Sequence, residues 1–276
     1  MEIFVLPHPA DAGSLDLVST MRRLKFLQAL SSGVDHVIAA VPEHVPLFNA
    51  PSLHARATAE TAMSLLLASL NNVPAWSEAQ RRGVWSDPGP RVGLVGKTVA
   101  ILGFGAVGQA LAGMLAGFDV RVLPVARRSR PGVHGVVDLP ELVGGVDVLV
   151  VSVPLSHETR GLVDQDLLGR MKDGSLLINV ARGPVVDSDA LLAEVSSGRL
   201  RAGLDVVDPE PLPDGHPLWA CPGVLISPHV GGNTRDFWDR AAAFVDEQLE
   251  RFVLGSPLRH PVERTGQRDG QVRPLA

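Results

Sequence analysis

Between Lys97 and Pro228 the chain alternates short, almost wholly apolar runs with amphipathic segments, and few architectures tolerate that pattern. The runs are TVAIL (98–102), VRVLPV (120–125), VDVLVVSV (146–153), SLLINV (175–180), AGLDV (202–206) and GVLIS (223–227). Segments with helical spacing, such as Ala106–Leu115 and Ser188–Ser197, lie between them. A strand that is apolar on both faces must be covered on both faces, and successive parallel strands need a crossover to pair. The pattern predicts an α/β domain with a doubly wound parallel sheet.

A smaller α/β pattern precedes it. Glu2–Leu6 reads as a strand, Ser14–Arg23 as a helix, Leu24–Leu30 as a strand and Ala57–Leu70 as a helix. The Gly- and Pro-rich segment 81–96 reads as a connection, and a long helix over Thr234–Leu254 as a return to the first domain. The expected division is 1–75 plus 236–262 for a substrate domain and 76–235 for a dinucleotide-binding domain, with a polar, disordered tail over 263–276. A length of 276 residues suits two domains. A net charge of −5 gives nucleic acid or an anionic membrane no electrostatic reason to bind. The apolar runs are too short to span a bilayer, and the opening MEIFVLPHPA lacks the basic start of a signal peptide. Cys221, the single cysteine, has no internal disulfide partner, which suits a reducing compartment and a cytoplasmic protein. The nine histidines show no ligand spacing, so no metal site is expected. Trp76, Trp85 and His54 read as core side chains.

GFGAVG (103–108) leaves a predicted strand and opens a predicted helix, the context in which G-x-G-x-x-G cradles a dinucleotide. Gly103 permits the tight turn, Gly105 the close approach of a pyrophosphate, and Gly108 tight helix–strand packing. The helix then offers the N–H groups of its first turn, Ala106 and Val107 among them, to the phosphates. An NAD site would place an acid near the end of the second strand. Here Ala126 stands there, followed by Arg127, Arg128, Ser129 and Arg130. Without a carboxylate to repel it, and with guanidinium groups to bind it, a 2′-phosphate is favoured. NADP is the expected cofactor, with NAD as the alternative.

Three further polar stretches begin where predicted strands end: NVARG (179–183), LDVVDPEP (204–211) and SPHVGG (227–232). In a doubly wound sheet those ends line the ligand crevice, so Arg182, Asp205, Glu210 and His229 are expected to share it. Their chemistry fits hydride transfer between a nicotinamide and a 2-hydroxy acid. His229 is the acid/base, Glu210 orients and stabilises its imidazolium, and Arg182 binds the substrate carboxylate and polarises the carbonyl. Gly231 and Gly232 leave room for the cofactor.

In combination these motifs resemble the D-isomer-specific 2-hydroxyacid dehydrogenases, in the branch of glyoxylate/hydroxypyruvate reductases, from about Leu27 to Val262. LGFGAVG, VPLSHETRGLV (153–163), NVARGPVVD, DVVDPEP and SPHVGGNT carry the resemblance. It implies a Rossmann domain beside a smaller flavodoxin-like substrate domain. It also implies cofactor contacts from Pro154, Thr159, Val180, Ala181, Arg182, His229 and Gly231, with Asp205 at the nicotinamide carboxamide. SSGVDH (31–36) resembles the family's substrate-carboxylate loop, where the N–H groups of Ser32, Gly33 and Val34 can form an anion nest. A homodimer acting on a small 2-keto or 2-hydroxy acid is implied. The N-terminal region is shorter than in the resembled fold by one strand–helix unit. The expectation is therefore a chain that begins late, with a truncated substrate domain, or a rearranged, smaller sheet. Two other readings share the fold: a dinucleotide-sensing, corepressor-like binding protein, and a relative acting on formate or phosphite.

Overall fold

The computed structural model describes residues 1–263 except Pro88 and Pro90, so the expected tail lies, but for Glu263, outside the described residues. The chain divides into two compact units, Ala55–Gly232 and Met1–His54 with the residues from Asn233 onward.

The larger unit is built on β4 (Thr98–Leu102), β5 (Arg121–Ala126), β6 (His134–Gly135), β7 (Val148–Val151), β8 (Leu176–Asn179), β9 (Arg201–Leu204) and β10 (Val224–Ile226). All pairings are parallel, in the order β10-β9-β8-β7-β4-β5-β6. From β4 the chain first moves one way, through β5 to β6, then returns to β7 and continues the other way to β10. The crevice at that reversal, at the carboxyl ends of β4 and β7, is where such sheets bind ligands. Alternation along the strands explains their all-apolar sequences. Ala100, Leu102, Leu149 and Val151 face one core layer together with Leu167, Leu168, Leu191 and Val195 from α6 (Gln165–Arg170) and α7 (Ser188–Ser196). Val99, Ile101, Val148 and Val150 face the other, against Ala59, Ala62 and Leu66 of α2 (Pro51–Leu70) and Leu111 and Leu115 of α4 (Ala106–Leu115). Two covered faces require two apolar positions in every strand repeat.

In the smaller unit β1 (Ile3–Val5), β2 (Phe26–Gln28) and β3 (Leu47–Phe48) form a three-stranded parallel sheet, order β1-β2-β3, with Ile3–Val5 at an edge. This is the smaller substrate-domain sheet that the fold class anticipated. Helix α1 (Ala12–Thr20) is capped by Asp11, whose side chain accepts from Ser14 N–H at 2.6 Å. Leu6, Val18, Leu27, Val37 and Leu47 form one core. Phe237, Ala241 and Phe244 of α8 (Phe237–Val253) close a second with Leu30, Ala50 and Leu53. A buried amide pair ties α8 to the sheet: Gln248 Nε2 donates to Gln28 Oε1 at 2.7 Å, and Gln28 Nε2 donates to the carbonyl of Ala29 at 2.8 Å.

The structure corrects several expectations. Helix α2 begins at Pro51 rather than Ala57, and its apolar stripe from Ala59 onward belongs to the larger core. Residues 73–81 form an unanticipated helix, α3 (Val73–Arg81), with no buried residue. Trp85 is fully exposed and Trp76 is partly so, whereas His54 is buried.

Candidate active site

The first half of the site is the turn after β4. Gly103 has φ +104, and a Cβ there would lie 2.7 Å from the backbone of Ser152 in the neighbouring β7 loop. A Cβ on Gly108 would lie 2.2 Å from the carbonyl oxygen of Gly103. A Cβ on Gly105 would meet nothing within 4 Å. Two glycines are thus compelled by packing, while the third opens onto free space at the helix start. Gly105 is the N-cap of α4 and no side chain caps that end. The first-turn N–H groups, those of Ala106 and Val107 among them, are left for an incoming acceptor. An open, N–H-lined cradle fits the pyrophosphate of a dinucleotide.

Around it, Arg127 and Arg128 follow directly on β5, whose last residue is Ala126. Arg127 Nε lies 3.4 Å from Glu158 Oε2, both side chains being exposed. Arg130 reaches the turn itself: its Nη2 donates to the carbonyl of Phe104 at 3.5 Å. Glu158 sits in a turn pinned by Thr159, whose Oγ1 donates to the Pro154 carbonyl at 2.6 Å and accepts from Ser156 N–H at 2.8 Å.

The second half lies at the ends of β8, β9 and β10. Glu210 Oε1 is 2.6 Å from His229 Nδ1. A carboxylate can only accept, so Nδ1 carries a proton and Nε2 is the ring nitrogen left for chemistry. His229 is held with φ +53, a left-handed conformation rare outside glycine. Asp205, buried at the end of β9, explains how. Its Oδ1 accepts from Ser227 Oγ at 2.6 Å and Val230 N–H at 3.0 Å, and its Oδ2 accepts from Gly231 N–H at 2.9 Å. The His229 N–H donates to the Asp205 carbonyl at 2.8 Å. Asp205 therefore clasps the whole 227–231 loop. Asn179 does the same for the NVARG turn, accepting from Ala181 N–H at 3.0 Å and donating to the Arg182 carbonyl at 3.2 Å. Val180 and Ala181 are buried, and Arg182, extended at φ −146, donates from Nη1 to the Ala181 carbonyl at 2.8 Å. Within the set, Glu210 and His229 are paired side chain to side chain. Neither clasp stood out in the sequence. The sequence reading puts Asp205 in the crevice as a ligand contact and assigns Asn179, within NVARG, no role of its own.

Within the smaller unit, the 31–34 loop turns its carbonyls into the protein. Those of Ser31, Ser32, Gly33 and Val34 accept from Ala50 N–H, Asn49 Nδ2, Ser31 Oγ and Val37 N–H respectively. Among the described residues no acceptor meets the N–H groups of Ser32, Gly33 or Val34, the condition for an anion nest. Among the described residues no group of three His, Cys, Asp or Glu could hold a metal ion, and no helix is long and apolar enough to cross a membrane.

A family model described as "D-isomer specific 2-hydroxyacid dehydrogenase, NAD binding domain" matches residues 63–231. The human glyoxylate reductase/hydroxypyruvate reductase is 34% identical over 250 residues, 85% of this chain and 76% of that one. A solved D-isomer specific 2-hydroxyacid dehydrogenase from Xanthobacter autotrophicus Py2, in complex with NADPH and MES, superposes with TM-score 0.80 at 34% identity, covering 95% of this chain and 84% of its own. The NADPH-dependent glyoxylate/hydroxypyruvate reductase of Sinorhizobium meliloti, in complex with NADP and sulfate, gives TM-score 0.83 at 29% identity, covering 95% and 85%.

Proposed function

The chain belongs to the D-isomer specific 2-hydroxyacid dehydrogenase family, and from that premise we propose that it reduces small 2-keto acids, such as glyoxylate or hydroxypyruvate, with NADPH. The observation that carries the reading is the Glu210–His229 pair at 2.6 Å, set at the carboxyl ends of the same parallel sheet as an open dinucleotide cradle. The comparison proteins named above are oxidoreductases, which supports an enzyme over a dinucleotide-sensing binding protein. Two of them carry NADPH or NADP, which, with the missing acid at Ala126 and the arginines beside it, supports NADP over NAD.

When bound, a reduced nicotinamide held by the cradle would supply a hydride to the carbonyl carbon. The work of the chain's own residues is to hold the keto acid and to deliver a proton to its oxygen. Protonated His229 donates from Nε2 to the oxygen as negative charge develops there, and takes the proton back in the reverse direction. Glu210, accepting from Nδ1–H, keeps the ring in that orientation and stabilises its cationic form. Arg182 is assigned to the substrate carboxylate and to polarising the carbonyl, where a planar guanidinium can bind two oxygens at once. Ser32, Gly33 and Val34 offer N–H groups to an anionic group of the substrate. Gly103, Gly105, Ala106, Val107 and Gly108 hold the pyrophosphate, and Pro154 and Thr159 support the adenosine side. Val180, Ala181 and Gly231 lend backbone to the nicotinamide side. Asp205 secures the loop that carries His229. The enzyme is assigned to the cytoplasm, as a homodimer.

The test is a panel of 2-keto acids assayed with NADPH and NADH. NADPH-dependent turnover of at least one short keto acid is expected, and His229→Ala should lower it by about 10²–10⁴-fold while leaving the fold intact. A folded wild-type protein that binds NADPH yet turns over no keto acid would point to the sensing alternative.

A further inference from the structure

Strand β5 ends at Ala126 and so lacks the carboxylate that holds a ribose diol in NAD sites. The structure brings a carboxylate beside Arg127, the next residue, from the loop after another strand. Glu158 lies seven residues beyond Val151, the last residue of β7, and Arg127 lies one residue beyond β5. These are the two strands that flank β4, and the phosphate-binding turn GFGAVG follows β4. The Arg127–Glu158 pair, at 3.4 Å, therefore joins the two loops on either side of that turn. Glu158 is not a loose surface acid. Its turn is closed by the hydrogen bonds of Thr159 to Pro154 and Ser156, and by Arg160 N–H on the Ser156 carbonyl at 3.0 Å. The turn is anchored beside the cradle, since Ser152 Oγ donates to the Gly103 carbonyl at 2.8 Å.

We propose that Glu158 is a cofactor-specificity residue, supplying from the β7 loop the carboxylate that β5 lacks and sharing Arg127 with the cofactor's 2′ position. This rests on the dinucleotide reading of the cradle and on Arg127 as the phosphate-binding cation. With NADH, the 2′-hydroxyl is a hydrogen-bond donor and Glu158 is its acceptor, so the Arg127–Glu158 pair persists beside it. With NADPH, the 2′-phosphate takes Arg127 for itself, and Glu158 becomes an unpaired like charge beside a dianion. The carboxylate thus favours NADH and opposes NADPH, while Arg127 does the reverse. The balance makes the site able to use both cofactors, with the preference set by two adjacent side chains. Exposed ion pairs are weak and easily exchanged, which is what a partner shared between protein and ligand requires.

The experiment is isothermal titration of NADPH and NADH into the full-length protein and into Glu158→Gln, Arg127→Ala and the double variant, at low and high salt. Glu158→Gln is nearly isosteric at an exposed position, so its melting temperature should match the wild type. It should weaken NADH by about 3–10-fold and tighten NADPH by about 2–5-fold, the range for charged hydrogen bonds in partly exposed sites. The NADPH gain should shrink at high salt and persist when Arg127 is already Ala, because the repulsion between Glu158 and the phosphate does not need Arg127. A Glu158→Gln protein in which both affinities move by the same factor, or neither moves, overturns the proposal. Arg127→Ala is read separately: NADPH binding that survives it unchanged defeats the assignment of Arg127 to the 2′-phosphate, whatever Glu158 does.

Discussion

At the residue scale, His229 combines a left-handed backbone with a side chain that must point one nitrogen outward. A histidine at φ +53 is held there only if its surroundings over-determine the conformation. The three hydrogen bonds taken by the buried Asp205 carboxylate supply that constraint. Asp205→Asn exchanges an acceptor oxygen for a donor facing other donors, and should lower stability by about 1–3 kcal/mol in urea unfolding. If clasping the loop is the role of Asp205, kcat should fall by about tenfold or more, because small misplacements of a catalytic group are expensive, while NADPH affinity stays near the wild-type value. A main role at the nicotinamide would show the opposite pattern: a large rise in the Kd for NADPH with stability untouched. Gly231→Ala gives an independent check. Its Cβ would lie 2.7 Å from Asp205 Oδ2, so the same kcat loss is expected with no charge removed. That Glu210 and His229 come together was legible in the sequence, since each stands a few residues past an apolar run. The clasp was not, because a carboxylate at a strand end looks the same whether it meets a ligand or a loop.

At the scale of elements, the amino-terminal ends of the central strands have their own electrostatic device. Asp147, just before β7, accepts from Thr98 N–H at the start of β4 at 2.8 Å, and lies 3.1 Å from Lys172 and 3.6 Å from Lys97. Burial alone would raise its pKa, but the Thr98 N–H and the two ammonium groups outweigh it and hold the carboxyl below its ordinary value. A carboxylate with a lowered folded pKa contributes stability that is complete above its unfolded pKa, about 3.9, and is lost as pH falls through the lowered folded value. Asp147→Asn should therefore lower unfolding stability by about 1–2 kcal/mol at pH 7. The two proteins should converge below about pH 4. A deficit that persists undiminished in acid would mean packing, not charge, is what Asp147 supplies. The strands it joins were the most legible elements, because burial on both faces leaves continuous apolar runs. The two-residue strands β3 and β6 were missed because Leu47–Phe48 and His134–Gly135 are too short to show any period. Helix α2 was read late because its first turn, PSLHAR, lacks the apolar spacing that begins at Ala59.

For the whole molecule, helix α3 and the described residues after it in the larger unit stand out by leaving apolar side chains bare. A nine-residue helix with no buried residue is marginal by itself, since short helices in water need packing to persist. Helix α3 is nonetheless tied to Val84 and Arg91 beyond it. Val84 N–H donates to the Ala79 carbonyl at 2.9 Å, Arg91 Nη1 donates to Asn71 Oδ1 at 2.8 Å, and the Arg91 guanidinium lies 5.9 Å from the Trp76 ring centre. Leu94 anchors the far end in the core. What this arm shows to solvent is Val73, Trp76, Val84, Trp85, Val92 and Val95, with Trp85 at 102% of its reference exposure. Exposed apolar side chains grouped in one segment are what a contact between two copies would require. Trp85, expected from the sequence to be a core side chain, is legible in this second way only once its neighbours are known to leave it bare. The homodimer proposed above assigns that surface to a second copy of the chain, joined through an isologous contact. Sedimentation equilibrium should then give twice the 29.2 kDa of one chain. Replacing Val84 and Trp85 together with Asp should give a folded protein of single-chain mass, because both positions are exposed within the chain and neither supports its core. A wild type that sediments at single-chain mass, or a double variant that stays at twice it, would remove the arm from the interface.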